Sequence, residues 1–202
     1  MNNNGTKLYT LITLEEFKEV LGIDDREEKM AKFCLVTSTY TIEQYCKRKF
    51  LKKQHFEVVK FCGDLFIPLR EYPVKYVLAA FLMSREQLAI YDGNVLEPEF
   101  YRVIQEGDTD LPSYMELSPA VARQSFKAIK VVYYAGYEQK NVPADLKAAC
   151  MELASWNMNR YKGRRIGMSG NIKGAGIQGE HFELSMPENV KALLEPYRRK
   201  TI

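Results

Sequence analysis

The sequence predicts an α+β protein: a small bundle of four helices with an antiparallel β unit inserted between the second and third helices. Three observations predict it. Capped, helix-period apolar stretches occupy residues 13–47, 143–161 and the segment after Pro187. Between the first two, residues 55–138 change to short β-branched and aromatic runs separated by Gly, Pro and Asp turns. The helical period then returns after Ala135-Gly136-Tyr137, so the helical part is split in sequence. The expected organisation is a discontinuous helical domain, 1–54 with 139–202, and an inserted β-rich unit, 55–138.

Residues 1–10 read as a flexible lead. Thr13 with Glu16 three residues on is a capping-box pattern, Leu14, Phe17, Val20 and Leu21 form an apolar face, and Gly22 ends the helix. Asp25 with Glu28 repeats that pattern and predicts a second helix to about Lys47. Met30, Phe33, Cys34, Thr37, Thr41 and Tyr45 share one side of it, with Ala31, Leu35, Ile42 and Cys46 beside them. Lys47-Arg48-Lys49 reads as a solvated basic helix end. Strands are predicted at His55–Lys60, Leu65–Leu69, Val74–Met83, Phe100–Gln105, Tyr114–Leu117 and Ile129–Ala135. The third of these is apolar on both sides. Glu106–Pro112 reads as a polar loop, and a short strand is expected at His181–Leu184.

The helix after Val142 has the most informative period. Pro143 suits its first turn, with Asn141 or Val142 before it as the cap. Leu146, Ala149, Cys150, Leu153, Trp156 and Asn157 fall on one face, and Met151, Ala154, Met158 and Tyr161 on a second. This apolar arc exceeds what one core contact needs, so cover on two sides is expected. The cover is either its own domain or another subunit, to which a Met stripe adapts well. Arg160, Lys162, Arg164 and Arg165 gather at the negative end of the helix dipole. A last helix opens at Pro187 and runs into Tyr197-Arg198-Arg199-Lys200.

Composition bounds the function. A hydrophobic share of 46% and a charged share of 27% are those of an ordinary globular chain, and a net charge of +3 leaves nucleic-acid contacts to local clusters. Cys34, Cys46, Cys62 and Cys150 lack zinc spacing, and His55 and His181 are too few to complete a metal set. The first three of Cys34, Cys46, Cys150 and Cys62 sit in apolar helical contexts and read as buried reduced thiols, which suits a reducing cytoplasm. No signal-peptide pattern opens the chain, and no apolar run is long enough to span a membrane. Gly174-Ala175-Gly176-Ile177-Gln178-Gly179 matches a dinucleotide fingerprint but lacks the strand–turn–helix setting that would make it one. The carboxylate pairs lie at helix starts, where dipole and caps account for them. No catalytic residue, cofactor or metal is expected. Arg160, Lys162, Arg164 and Arg165, with Lys173, remain as a basic cluster: either helix-end charge beside a solvated loop, or a contact for a phosphate backbone or an acidic partner.

Three blocks carry a family resemblance. They are Ile12–Lys18 with Asp24-Asp25 and the helix ending Ile42–Arg48, then Ala135–Glu138 with Val142–Ala149, then Pro187–Val190 with Leu193–Arg199. In order and composition they resemble the head–tail connector (adaptor) proteins of tailed bacteriophages and prophages, over somewhat more than half of the chain. The β insertion departs from the short members of that family. The resemblance implies a non-enzymatic protein of the virion neck, assembled in the bacterial cytoplasm. It would form a homo-oligomeric ring under the portal protein, extend the DNA channel and meet a tail-side neck protein, and it allows a monomer in isolation. It makes Met151, Met158 and Tyr161 candidate subunit contacts, and Tyr197, Arg198, Arg199 and Lys200 candidate portal-docking residues. The loop 163–179 would lie at the channel or at a subunit contact. A nucleic-acid-binding module built on Arg160–Arg165 is the alternative.

Overall fold

The computed structural model describes residues 8–84, 93–105, 112–163, 170–171, 181–182 and 186–199. Helices and antiparallel sheets are both present, so the chain is α+β as expected. Its described helices are α1 (Leu14–Leu21), α2 (Glu28–Cys46), α3 (Pro119–Ala122), α4 (Ala144–Lys162) and α5 (Glu188–Leu194). Two units separate: residues 1–47 with 139–202, and residues 48–138.

The helical unit opens on an anchored segment rather than a free lead. Tyr9 donates its hydroxyl proton to Glu43 at 2.7 Å, the Leu11 N–H donates to Thr39 Oγ1 at 3.2 Å, and Thr10 is buried. Residues 1–7 of the expected lead lie outside the described residues. In α1 the Glu16 N–H donates to Thr13 Oγ1 and the Thr13 N–H to the Glu16 carboxylate, completing the capping box. Gly22, at φ 61, closes that helix in the left-handed region. The second predicted cap is different. A 3-10 turn at Asp25–Glu27 precedes α2, no side-chain cap forms, and Asp25 pairs with Lys18 instead. Pro143 is itself the residue before α4, one position later than expected. Its extended ψ of 146° keeps it out of the helix, while its carbonyl accepts from the Lys147 N–H at 3.0 Å.

α2 packs on α4, and α4 on α5. Cys34, Leu35 and Ile42 of α2 and Leu146, Ala149, Cys150 and Leu153 of α4 are buried. Polar pairs punctuate the seam: Thr39 Oγ1 lies 3.7 Å from Cys150 Sγ, and Asn157 donates to Ser38 Oγ at 3.0 Å. Burial pushes the Cys34 and Cys150 thiols up to about 11. In the same unit, β8 (Gly170–Asn171) and β9 (His181–Phe182) pair antiparallel.

The β unit holds two antiparallel sheets. One has the order β1 (Lys53–Lys60), β7 (Ala128–Ala135), β3 (Val74–Met83), β4 (Asn94–Leu96); the other has β2 (Phe66–Pro68), β6 (Ser113–Leu117), β5 (Tyr101–Gln105). Their inner faces share one core, with Ile67, Met115 and Leu117 from the second sheet meeting Ala80, Ile129 and Val131 from the first. The short helix α3, not anticipated from sequence, is capped by Ser118 with Pro119 in its first turn. Residues 48–54 belong with this unit and not, as expected, with the helices. Leu51 bridges to Tyr137, and Arg48 is 2% exposed, its guanidinium 3.5 Å from the Tyr72 ring and donating to the Tyr72 carbonyl at 2.6 Å. Arg48 is therefore no solvated helix end.

A polar cluster sits within this core. Glu57 Oε1 accepts from the Tyr133 hydroxyl at 2.8 Å and from the Arg70 N–H at 3.1 Å, and the Tyr133 oxygen accepts from the Glu71 N–H at 3.1 Å. Burial raises the Glu57 carboxyl above its ordinary value despite those two bonds. Burial and the neighbouring Glu57 charge push the Tyr133 phenol up as well.

Two predictions follow from this packing. Leu153→Ala should destabilise the protein by about 2–5 kcal/mol in chemical denaturation, because Leu153 lies in the α4 core face. Glu57 binds its proton more tightly folded than unfolded, so its share of stability is present at low pH and lost as pH rises through the folded value. The stability difference between wild type and Glu57→Gln should then shift toward wild type as pH falls from neutrality to 4.5, the ordinary glutamate value. Denaturant melts across that range measure it, and a difference independent of pH would contradict it.

Candidate assembly surfaces

The predicted contact residues of α4 divide between core and surface. Met158 is 3% exposed and belongs to the interior, whereas Met151 and Tyr161 are half-buried. Tyr161 meets Phe33 of α2 edge-on, with ring centroids 5.6 Å apart. By the helical period Met158 lies about 20° from Met151 and about 40° from buried Ala154, so the buried arc of α4 extends through Ala154 into the second stripe as far as Met158.

An exposed apolar face of this unit lies on α2. Phe33, Val36 and Tyr40 are exposed to 56%, 42% and 59%. They recur at i, i+3 and i+7, the spacing of one helix face. Phe33 was legible as apolar, but its grouping with buried Cys34 hid the fact that adjacent residues point 100° apart.

At the end of α4 the described basic residues are engaged. The Arg160 guanidinium lies 4.5 Å from the Trp156 ring centroid, and Lys162 pairs with Glu27 at 2.8 Å. Arg164, Arg165 and Lys173 lie outside the described residues, as does the Gly174–Gly179 motif. Among the described residues, no group of His, Cys, Asp and Glu is arranged to hold a metal ion, and no helix is long and apolar enough to cross a membrane.

The C-terminal candidates also separate. Tyr197 is buried, and its hydroxyl donates to Asp145 Oδ1 at 2.6 Å, so it is a packing residue of the helical unit. The Arg199 N–H donates to the Cys46 carbonyl at 2.9 Å, which ties the segment to the end of α2. Arg198 is exposed, 5.4 Å from the Tyr45 ring and 3.7 Å from Glu195. Lys200 lies outside the described residues.

A second apolar surface covers the outer side of the four-stranded sheet. Register sets it. Phe56, Val132 and Ala79 pair across β1, β7 and β3, and all three point away from the core. Next to that row, Tyr134 pairs with Tyr76, their ring centroids 5.1 Å apart. On the other side, Val58, Lys130, Phe81 and Val95 form a row across all four strands. Phe56 is 73% exposed and Val95 62%. Register shifts in β3 push Leu78 off the ladder, and it too is exposed. The two-sided apolar character of Val74–Met83 was the sequence signal for this surface.

A sequence model of the head completion protein family matches residues 10–200 of the chain. The chain belongs to the head completion protein family. This agrees with the head–tail connector resemblance of the three sequence blocks, and the family is a structural one of phage virion assembly. No curated protein sequence matches the chain. Among solved structures, a chain from the neck of an empty gene transfer agent particle, computed with C6 symmetry, is 17% identical with a TM-score of 0.63, covering 95% of this chain and 91% of its own. A chain from the virion of the native gene transfer agent particle is 16% identical, with the same TM-score and coverage. A chain from the native neck, computed with C12 symmetry, is 17% identical with a TM-score of 0.57 over 94% and 89%. At this identity the likeness is one of fold, and it extends over both units of this head completion protein.

Removing the Tyr197 hydroxyl tests the docking of the C-terminal segment. Tyr197→Phe should cost about 1 kcal/mol of stability. It should also speed amide exchange at residues 195–199, and unchanged exchange there would mean that the Asp145 bond does not hold the segment.

Proposed function

We propose that this head completion protein is a head–tail connector of the virion neck, assembling as a ring beneath the portal and continuing the DNA exit channel toward the tail. The observation that carries this reading is the family match across residues 10–200, joined to a fold likeness over 95% of the chain with a neck chain. The sixfold and twelvefold symmetries of the compared necks support the ring. The chain is built in the bacterial cytoplasm, joins the portal and a tail-side neck protein, and works without a catalytic step.

In this reading the partly exposed Met151 and Tyr161 lie at subunit contacts, with Met158 supporting them from inside. Arg198, Arg199 and Lys200 reach toward the portal from a segment anchored by Tyr197. Arg164, Arg165 and Lys173, outside the described residues, are the candidates for contact with the DNA of the channel. A separate nucleic-acid-binding role for Arg160–Arg165 is the weaker reading, because Lys162 is paired with Glu27 and Arg160 stacks on Trp156.

Deleting the gene should give DNA-filled heads that lack tails, and co-expression of the chain with its portal should add a ring of density visible by electron microscopy. Tailed, infective particles made without the chain would overturn the proposal.

A further inference from the structure

The connector reading puts Met151 and Tyr161 at subunit contacts without naming the surface of the neighbouring copy that receives this side of the helical unit, where Tyr161 meets Phe33. We infer that the outer face of the four-stranded sheet is the seat for a second copy of this chain, which docks through its α2 face at Phe33, Val36 and Tyr40. This rests on the ring proposed above and names the contact that builds it.

Size is the first argument. A buried aromatic side chain covers about 150–250 Å². On that scale the exposed parts of Phe56, Tyr76, Leu78 and Val95, with their half-buried neighbours, amount to roughly 500 Å². That is at the upper end for a patch on a free-standing monomer, at about 300–600 Å². It is also most of the ~800 Å² that one partner contributes to a stable interface.

Closure is the second argument. A head-to-tail ring needs two different, complementary patches on every copy, whereas a patch that meets itself closes as a dimer. The sheet face and the α2 face are apolar surfaces of different shape, one pleated and one helical. Their dimensions agree. From Phe33 to Tyr40 an α-helix rises about 10 Å, and β1 to β3 across β7 spans two strand spacings, again about 10 Å.

Chemistry is the third argument. Val58, Val132, Leu78 and Val95 lie among the aromatic residues of this face, and two lysines sit against separate rings, Lys130 at 5.4 Å from the Phe81 ring centroid and Lys52 at 6.0 Å from that of Tyr76. A single-stranded nucleic acid asks for successive stacking rings along a cationic track. Aliphatic infill suits an apolar helix better.

The test uses assembled particles. The chain carries Cys62→Ser, which removes the exposed native thiol, together with Phe56→Cys and Tyr40→Cys. A short bis-maleimide should then yield a ladder of cross-linked multimers. Either cysteine substitution alone should yield about tenfold less, and Phe56→Asp should cut ring incorporation by about tenfold with an unchanged melting temperature. A ring seen by electron microscopy without a ladder overturns the contact and leaves the connector reading standing. The absence of any ring overturns both. Cross-links from Phe56→Cys to a different protein, or oligonucleotide binding that Phe56→Asp abolishes in the absence of a ladder, overturn the assignment to a second copy.

Discussion

Phe50, Leu51 and Lys52 run beside Gly136 and Tyr137, joined by backbone hydrogen bonds from the Tyr137 N–H to the Phe50 carbonyl and from the Lys52 N–H to the Tyr137 carbonyl. This contact holds the two ends of the β unit together. Closing a flexible loop of that length would cost about 4 kcal/mol of chain entropy. The β unit meets that cost with its own ladder, so α2 and α4 are brought together by short connections and not by chance encounter of distant segments. Gly136 makes the approach possible. Its φ is +102°, and a Cβ there would fall 2.7 Å from the Leu51 carbonyl carbon and the Phe50 oxygen. The Ala135-Gly136-Tyr137 block, a family marker in the sequence, is thereby a steric requirement of the insertion.

Elements bounded by local chemistry were legible from the residues alone. Thr13, Glu16 and Gly22 bracket α1 because cap and terminator need no tertiary partner. Six of the seven described strands of the β unit emerged within a residue or two, since β-branched runs between Gly and Pro turns have few other solutions, whereas the three-residue β4 was missed. Features set by partners distant in sequence were not legible. Arg48 reads as a charged helix end until Tyr72 and Phe50 are seen to cover it. Thr10 reads as a polar lead until Gln139 is seen to donate to its carbonyl at 2.9 Å.

The same distinction explains the candidate surfaces. Periodicity ranks the faces of a helix by apolarity, but it does not say which apolar face looks inward. Met158 and Phe33 both carry large apolar side chains on broadly apolar helices, yet one is enclosed and the other is 56% exposed. On the sheet, register decides more than composition. Phe56 and Glu57 are neighbours, and the pleat sends the aromatic residue to solvent and the carboxylate into the core.

The buried thiols have a chemical consequence. Oxidation and disulfide exchange proceed through the thiolate. With Cys34 and Cys150 at about 11, roughly one in a thousand of either is ionised at pH 8, and both are closed to solvent. Cys46 is enclosed as well, so of the four cysteines only Cys62 faces the medium. A chain that folds in a reducing compartment and then persists outside it would cross that redox boundary with its helical core chemically unaltered.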